Sequence, residues 1–321
     1  MTIVYFIVQQ TMFCAIPLLI VAIGGMWSER SGVINIALEG IMVMGAFCSI
    51  MFINVMQTYE IMNGQLLLLL AVLVAGLSGG IFSLLHAFAA IKLKADQTIS
   101  GTALNMFAAP FAIFVARMLT PNHSQQVQFT DTFHIESVPV LGKIPVIGDM
   151  FFQNTYITTY IGLAIFAVSA FVISKTRFGL RLRACGEHPQ AADAVGVNVY
   201  KIRYAGVFIS GVLAGIGGLV FVIPTSVNFN GTVSGYGFLA LAVLIFGQWR
   251  CGKIILAAFF FGIMQTIASS YSGIPGLQSL PIPNGVYKMI PYIATMIVLA
   301  FSSKSSQAPR AEGIPYDKGS R

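Results

Sequence analysis

Asn35 and Glu39 stand in the stretch SGVINIALEGIMVMG, from Ser31 to Gly45, with Gly32, Gly40 and Gly45 around them. They lie inside an otherwise apolar run, 31–55, that is long enough to cross a bilayer. An ionisable side chain at that depth costs on the order of 2.5 to 3.5 kcal/mol on insertion scales. Such a cost is tolerated where a helix breaks against protein or a water-filled cavity. The chemistry implied is passage of a solute rather than its conversion. Glu39 admits three readings at this point: a carboxylate lining a pathway, a neutral acid hydrogen-bonded inside a helix break, or a solvated group near the interface.

Other motifs that could do chemistry fail on their context. Gly247-Gln-Trp-Arg-Cys-Gly252-Lys253-Ile254 follows a phosphate-binding loop until Ile254 replaces the Mg²⁺-binding Ser or Thr, and an apolar run precedes it instead of a strand. Gly235-Tyr-Gly237-Phe-Leu-Ala240 resembles a dinucleotide fingerprint without a βαβ unit or a following acid, so its glycines read as a helix start or break. His86 stands alone in an apolar helix and reads as a packing residue. Cysteines 14, 48, 185 and 251 are scattered, and no His or Cys pair has metal-ligand spacing. No nucleophile with a base is visible, so an enzyme is not expected, nor is a cofactor or metal bound by this chain.

The elements that must position Asn35 and Glu39 are membrane helices. Of 321 residues, 56% are apolar and 9% charged, far below the roughly 25% charge of a soluble domain. Charge-poor runs predict an all-α polytopic protein with about nine spans, at 3–26, 31–55, 65–91, 98–119, 156–174, 204–224, 236–249, 254–272 and 288–301. The run at 236–249 is short for a crossing, so broken or re-entrant elements are expected there. Gly211 to Gly215 and Gly76 to Gly80 present small-residue faces that let helices approach closely. A faint correspondence links Ser31–Gly40 with Ser234–Gly247, both Gly-interrupted within apolar sequence.

The net charge of +7 resides in short loops and the tail, which is a topology signal and not a nucleic-acid footprint. The 175–203 loop, with Lys175, Arg177, Arg181, Arg183, Lys201 and Arg203, belongs in the cytoplasm. The 304–321 tail falls on the same side, and the 120–155 loop, with Asp131, Glu136 and Asp149, faces outside. Residues 1–303 form one transmembrane domain whose first run, from Ile3, reads as a retained span with its amino terminus outside. Within the 175–203 loop, Pro189 and the following alanines predict a short helix ending around Gly196. From spacing alone it fits equally a groove on a cytoplasmic partner or an ordinary amphipathic connector.

Three stretches together resemble one family: Gly25-Met-Trp-Ser-Glu-Arg-Ser-Gly-Val-Ile-Asn-Ile-Ala-Leu-Glu-Gly40, Ala184 to Val197, and Gly235-Tyr-Gly-Phe-Leu-Ala-Leu-Ala-Val-Leu-Ile-Phe-Gly247. They are similar to membrane permease subunits of bacterial ABC importers for ribose, other simple sugars and nucleosides. ERSGVINIALEG is nearest the nucleoside branch. The resemblance implies a ribose-permease-like fold in the bacterial inner membrane. It implies ATP-Mg on a separate cytoplasmic ABC ATPase, a second permease, identical or related, and an extracytoplasmic binding protein or lipoprotein. It implies further that Asn35, Glu39 and Asn105 lie along the pathway. Glu187, Ala191, Ala192 and Gly196 would then belong to the helix that docks on the ATPase, while Gly32, Gly40, Gly235 and Gly237 read as helix breaks. The rival class is an ion-coupled secondary carrier in which Glu39 titrates with each cycle.

Overall fold

Apolar sequence recurring along most of a chain satisfies its backbone in lipid by coiling into helices. The computed structural model describes residues 2–120, 123–139, 142, 144–271, 283–302 and 307–319. Its helices are α1 (Thr2–Glu29), α2 (Leu38–Thr58), α3 (Gln65–Ala87), α4 (Gln97–Leu119), α5 (Ile147–Phe151), α6 (Ile157–Lys175), α7 (Arg177–Glu187), α8 (Pro189–Ala194), α9 (Val199–Thr225), α10 (Tyr236–Phe246), α11 (Cys251–Ser270) and α12 (Asn284–Ser302). A π-helical turn, Phe88–Lys92, extends α3. Short strands β1 (Val127–Gln128) and β4 (Asn228–Phe229) pair antiparallel, as do β2 (Ile135–Ser137) and β3 (Gln153–Thr155).

Local sequence explains several boundaries. Asp96 caps α4 by accepting from the amides of Thr98 at 2.8 Å and Ile99 at 2.9 Å. Asn198 caps α9 through the amide of Lys201 at 3.0 Å, and Thr176 caps α7 through Gly179 at 3.2 Å. Pro189 opens α8, where its missing N–H costs nothing.

Among the described residues, seven helices are long and apolar enough to cross a membrane: α1, α2, α3 with its π turn, α4, α6, α9 and α11. The expected count of about nine is not confirmed by these residues. α10 holds 11 residues, about 16 Å of helix against the ~30 Å of a hydrocarbon core. The expected span at 31–55 also shifts, because residues 30–37 are not helical and α2 starts at Leu38. The 120–155 segment is not bare loop but holds α5 and strands β1 to β3. The expected 303/304 boundary lies outside the described residues.

α1 and α9 form the centre, with α2, α3, α10 and α11 against them, while α4 is the least buried of the seven. The small-residue faces anticipated on α3 and α9 meet each other. A Cβ on Gly79 would overlap the Gly211 carbonyl oxygen, and one on Gly215 would overlap that of Ala75. A Cβ on Gly45 of α2 would in turn strike Gly215. Three backbones therefore converge where any side chain would force them apart. Gly215→Val is expected to cost about 1–3 kcal/mol by overpacking and to lower the melting temperature in detergent by several degrees. Gly252→Ala, whose Cβ meets nothing within 4 Å, should leave it unchanged.

Candidate functional site

A non-helical segment inside a membrane protein needs partners for each buried amide and carbonyl. Residues 30–37 find them on three helices and the tail. The hydroxyl of Ser28 donates to the Val33 carbonyl at 2.7 Å, and that of Ser31 to the Ser28 carbonyl at 2.6 Å. The Ile34 amide donates to Gln97 Oε1 at 2.7 Å, and the Ile34 carbonyl lies 2.7 Å from His86 Nε2. His86 Nδ1 lies 2.9 Å from the Ser100 hydroxyl. A carbonyl can only accept, so His86 carries a proton on Nε2.

Asn105 of α4 closes the segment by donating from Nδ2 to the Ile36 carbonyl at 2.9 Å and accepting the Gly40 amide on Oδ1 at 2.7 Å. Fully buried Asn35 donates to the Ser210 hydroxyl of α9 at 2.9 Å. Its Oδ1 has no partner among the described residues. Gly32, at φ +95°, lies against the guanidinium of Arg203, where a side chain would be both strained and obstructed.

Glu39 lies in the first turn of α2 and points at the start of α10. Its Oε1 accepts from the Gly235 amide at 2.9 Å and its Oε2 from the Gly237 amide at 2.6 Å. One carboxylate thus stands at two helix N-termini, each carrying partial positive charge and unpaired amides. The Gly-interrupted segments around Ser31–Gly40 and Ser234–Gly237 therefore meet. Gly235, at φ +79°, provides the left-handed turn before α10. Gly40 and Gly237 lie inside α2 and α10 and serve as close approaches, not breaks. A Cβ on Gly237 would overlap the Glu39 backbone, and one on Gly40 would lie 2.8 Å from the Leu104 carbonyl oxygen.

A second cluster gathers where α1 ends. The expected loop helix is α8, ending at Ala194 before Gly196, and the amphipathic helix α7 precedes it. Ala191 and Gly196 are exposed, and Val195 beside them is 79% exposed. Ala192 instead faces inward, against Cys185, Val199 and Tyr316. Glu187 lies 3.6 Å from the Arg30 guanidinium and accepts the Arg310 amide at 3.4 Å.

The tail is a strap and not a free end. The Ala311 amide donates to the Gly186 carbonyl at 2.8 Å, Gly313 to Gly32 at 3.3 Å, and buried Arg203 to the Ile314 carbonyl at 2.9 Å. Lys94 pairs with Asp317 at 2.6 Å, and Lys318 reaches Asp193 at 3.9 Å. Trp249, just past α10, donates its indole N–H to Glu29, and its carbonyl accepts from Arg30 at 2.8 Å. The carboxyls of Glu29 and Glu312 hydrogen-bond to each other, and burial holds Glu312 up at about 7, against opposing pulls from Glu29 and Arg30.

Residues 7–300 match the family described as the branched-chain amino acid transport system / permease component. The chain belongs to that permease family. It is 43% identical over 316 residues to the guanosine ABC transporter permease protein NupQ of Bacillus subtilis, covering 98% of this chain and 97% of the relative. It is 40% identical to the nucleoside ABC transporter permease protein NupC of Lactococcus lactis, covering 97% and 96%. The guanosine ABC transporter permease protein NupP of B. subtilis is 22% identical, covering 93% and 81%. No solved structure matches.

This permease is thus a multi-pass membrane subunit of an ABC transporter, a transport component and not an enzyme, and the ion-coupled alternative falls with that assignment. The family implies a separate ATPase and a substrate-binding partner. Sequence reasoning singled out Asn35, Glu39 and Asn105 but missed His86 and Gln97 as supports of the broken segment. It also missed Glu312 as the partner of Glu29. Gln97 directly after the cap residue Asp96 carried no signal, since its acceptor role depends on a segment 63 positions away.

Glu39→Ala leaves the Gly235 and Gly237 amides without this acceptor and should cost about 1–3 kcal/mol, read as a lower melting temperature in detergent. Glu39→Gln keeps one acceptor oxygen and should lose less.

Undocking the tail returns Glu312 to the ordinary carboxylate range near 4.5 from its docked value of about 7. Docking therefore takes up a proton. The stability this adds is full below about pH 4.5 and lost as pH rises through about 7. Hydrogen exchange in 307–319, corrected for intrinsic rates, should increase from pH 5 to 8, and Glu312→Gln should flatten that rise.

Proposed function

We propose that this permease forms part of the translocation pathway of an ATP-driven nucleoside importer in a bacterial cytoplasmic membrane. The substrate class rests on relatives named for guanosine and nucleosides over nearly their whole length. The observation that carries the pathway reading is the meeting of two interrupted segments at Glu39, where α10 is too short to cross and α2 starts late. In this reading Asn35, Glu39 and Asn105 hold the broken segments beside the path and position it. Glu39 and Asn105 are engaged with backbone, and Asn35 is fully buried with its amide nitrogen on Ser210.

The end bearing α7, α8 and the tail is cytoplasmic in this reading, since Lys92, Lys94, Lys175, Arg177, Arg181, Lys201, Arg250 and Lys253 cluster there. The opposite end carries Glu60, Asp131, Glu136 and Asp149 and receives the binding protein or lipoprotein. α8 offers Ala191, Val195 and Gly196 to the ATPase, while Ala192 anchors it from beneath and Glu187 ties it to Arg30. A second, related permease completes the pathway. The two Bacillus relatives that share the guanosine name, at 43% and 22% identity, support two different permeases per system.

Reconstitution of this chain with its paired permease, ATPase and binding protein should give ATP-dependent accumulation of nucleosides in liposomes, and this chain alone should give none. Accumulation of simple sugars but not nucleosides would overturn the substrate assignment. Ala191→Arg or Val195→Asp should leave the melting temperature within about one degree, as exposed surface changes do. Either should reduce ATPase co-purification and uptake at least tenfold, whereas Ala192→Arg should destabilise the chain itself.

A further inference from the structure

At the end of the molecule opposite α8, a cavity of about 510 Å³ lies between the last turns of α2, the end of α4 and the segment 124–128. Its volume falls within the roughly 300–1,000 Å³ range of small-molecule sites. Met51, Val55 and Leu119 give it apolar walls, and Asn54, Thr58, Tyr59, Gln126 and Gln128 add polar groups. Among the described residues, no Asp, Glu, Lys or Arg lines it. A site without charge suits a neutral polar ligand and offers nothing to a phosphate or a carboxylate.

The frame is built independently of any ligand. Asn54 Nδ2 donates to the Gln128 carbonyl at 2.7 Å, and Gln57 Oε1 accepts the Thr130 amide at 2.9 Å. β1 pairs with β4, so the segment that follows α4 is fixed to the one that follows α9. Val127 and Phe129 are buried while Gln126 and Gln128 are exposed, as strand alternation requires. Among the described residues, the Gln126 and Gln128 carboxamides have no hydrogen-bond partner, and neither does the hydroxyl of Tyr59, whose residue is 72% exposed at the rim.

Carboxamides match the paired donor and acceptor edges of nucleobases, and an exposed aromatic ring offers a face for a base to stack on. We propose that this cavity is a receiving subsite for the nucleoside on the permease itself. Gln126 and Gln128 read the edge of the base and Tyr59 stacks on its face. Selectivity then resides partly in the membrane subunit and not wholly in the binding protein. The assignment rests on the nucleoside-importer reading given above.

The test uses the complete importer in liposomes, with a purine and a pyrimidine nucleoside. The double variant Gln126→Ala/Gln128→Ala, and Tyr59→Ala separately, should raise the apparent KM about tenfold and change the purine-to-pyrimidine ratio. Substrate-free ATP hydrolysis and binding-protein affinity should stay unchanged, and Tyr59→Phe should retain wild-type KM. A photoreactive azido-nucleoside on the wild-type complex should label residues 51–59 or 124–128. Unchanged KM with labelling elsewhere overturns the subsite while leaving the importer reading intact. An equal loss for every nucleoside together with weaker binding-protein affinity shows a protein-docking face and likewise overturns it. A wild-type complex that transports no nucleoside overturns the importer reading, and the ligand class with it.

Discussion

A polypeptide that leaves the helical path inside a membrane protein must have its freed amides and carbonyls answered by other groups, because lipid offers none. Residues 30–37 are such a path, and the answer is spread over the molecule. α3 supplies His86, α4 supplies Gln97 and Asn105, and the tail supplies the Gly313 amide, while Ser210 of α9 holds the Asn35 side chain. No single neighbour holds the break. It persists only while three helices and the strap keep their relative positions, so the broken segment reports on the arrangement of the whole bundle. The close approach of α2, α3 and α9 at Gly45, Gly79 and Gly215 keeps two of those helices in register.

Glu39 follows the same logic at the next residues along. A carboxylate accepting two backbone amides at the start of α10 is held by groups that cannot move without unwinding a helix. Protonating it in each transport cycle would turn one of its oxygens into a hydroxyl and weaken one of the two amide contacts. A secondary carrier needs a group that exchanges its ion cheaply. A fixed cap is the opposite device, and it suits a permease whose energy is supplied by another subunit.

Much of this was legible in the chain because the signals were local. An Asn and a Glu among glycines in apolar sequence announced a break, the Gly76–Gly80 and Gly211–Gly215 faces announced close contact, and Pro189 announced the start of α8. What could not be read depends on partners distant in sequence. Gly32 and Gly235 adopt positive φ, whereas Gly40 and Gly237 admit a neighbouring backbone, and the residue type is the same in all four. α2 starts later than the apolar run predicts, because Val33, Ile34 and Ile36 look as helical as any membrane residue until side chains from α1, α3 and α4 claim their backbone. The tail looked like a polar end, and nothing near Glu312 indicates that Glu29, at the far end of the sequence, faces it.

The strap changes how motion at α8 would travel on the proposed reading. Glu187 and Gly186 at the end of α7 are joined to Arg30 and to the tail residues Arg310 and Ala311. The tail is joined in turn to Gly32 and Arg203, and Glu29 and Arg30 hold Trp249 just beyond α10. Both interrupted segments therefore connect to one body that includes α7 and α8. A rigid-body displacement of that body acts on the 30–37 segment and on the C-terminal end of α10 together, while Glu39 fixes the other end of α10 to α2. A push delivered at one surface can then turn a half-length helix about a fixed N-terminus, which is a hinge built from element ends and not from flexible loops.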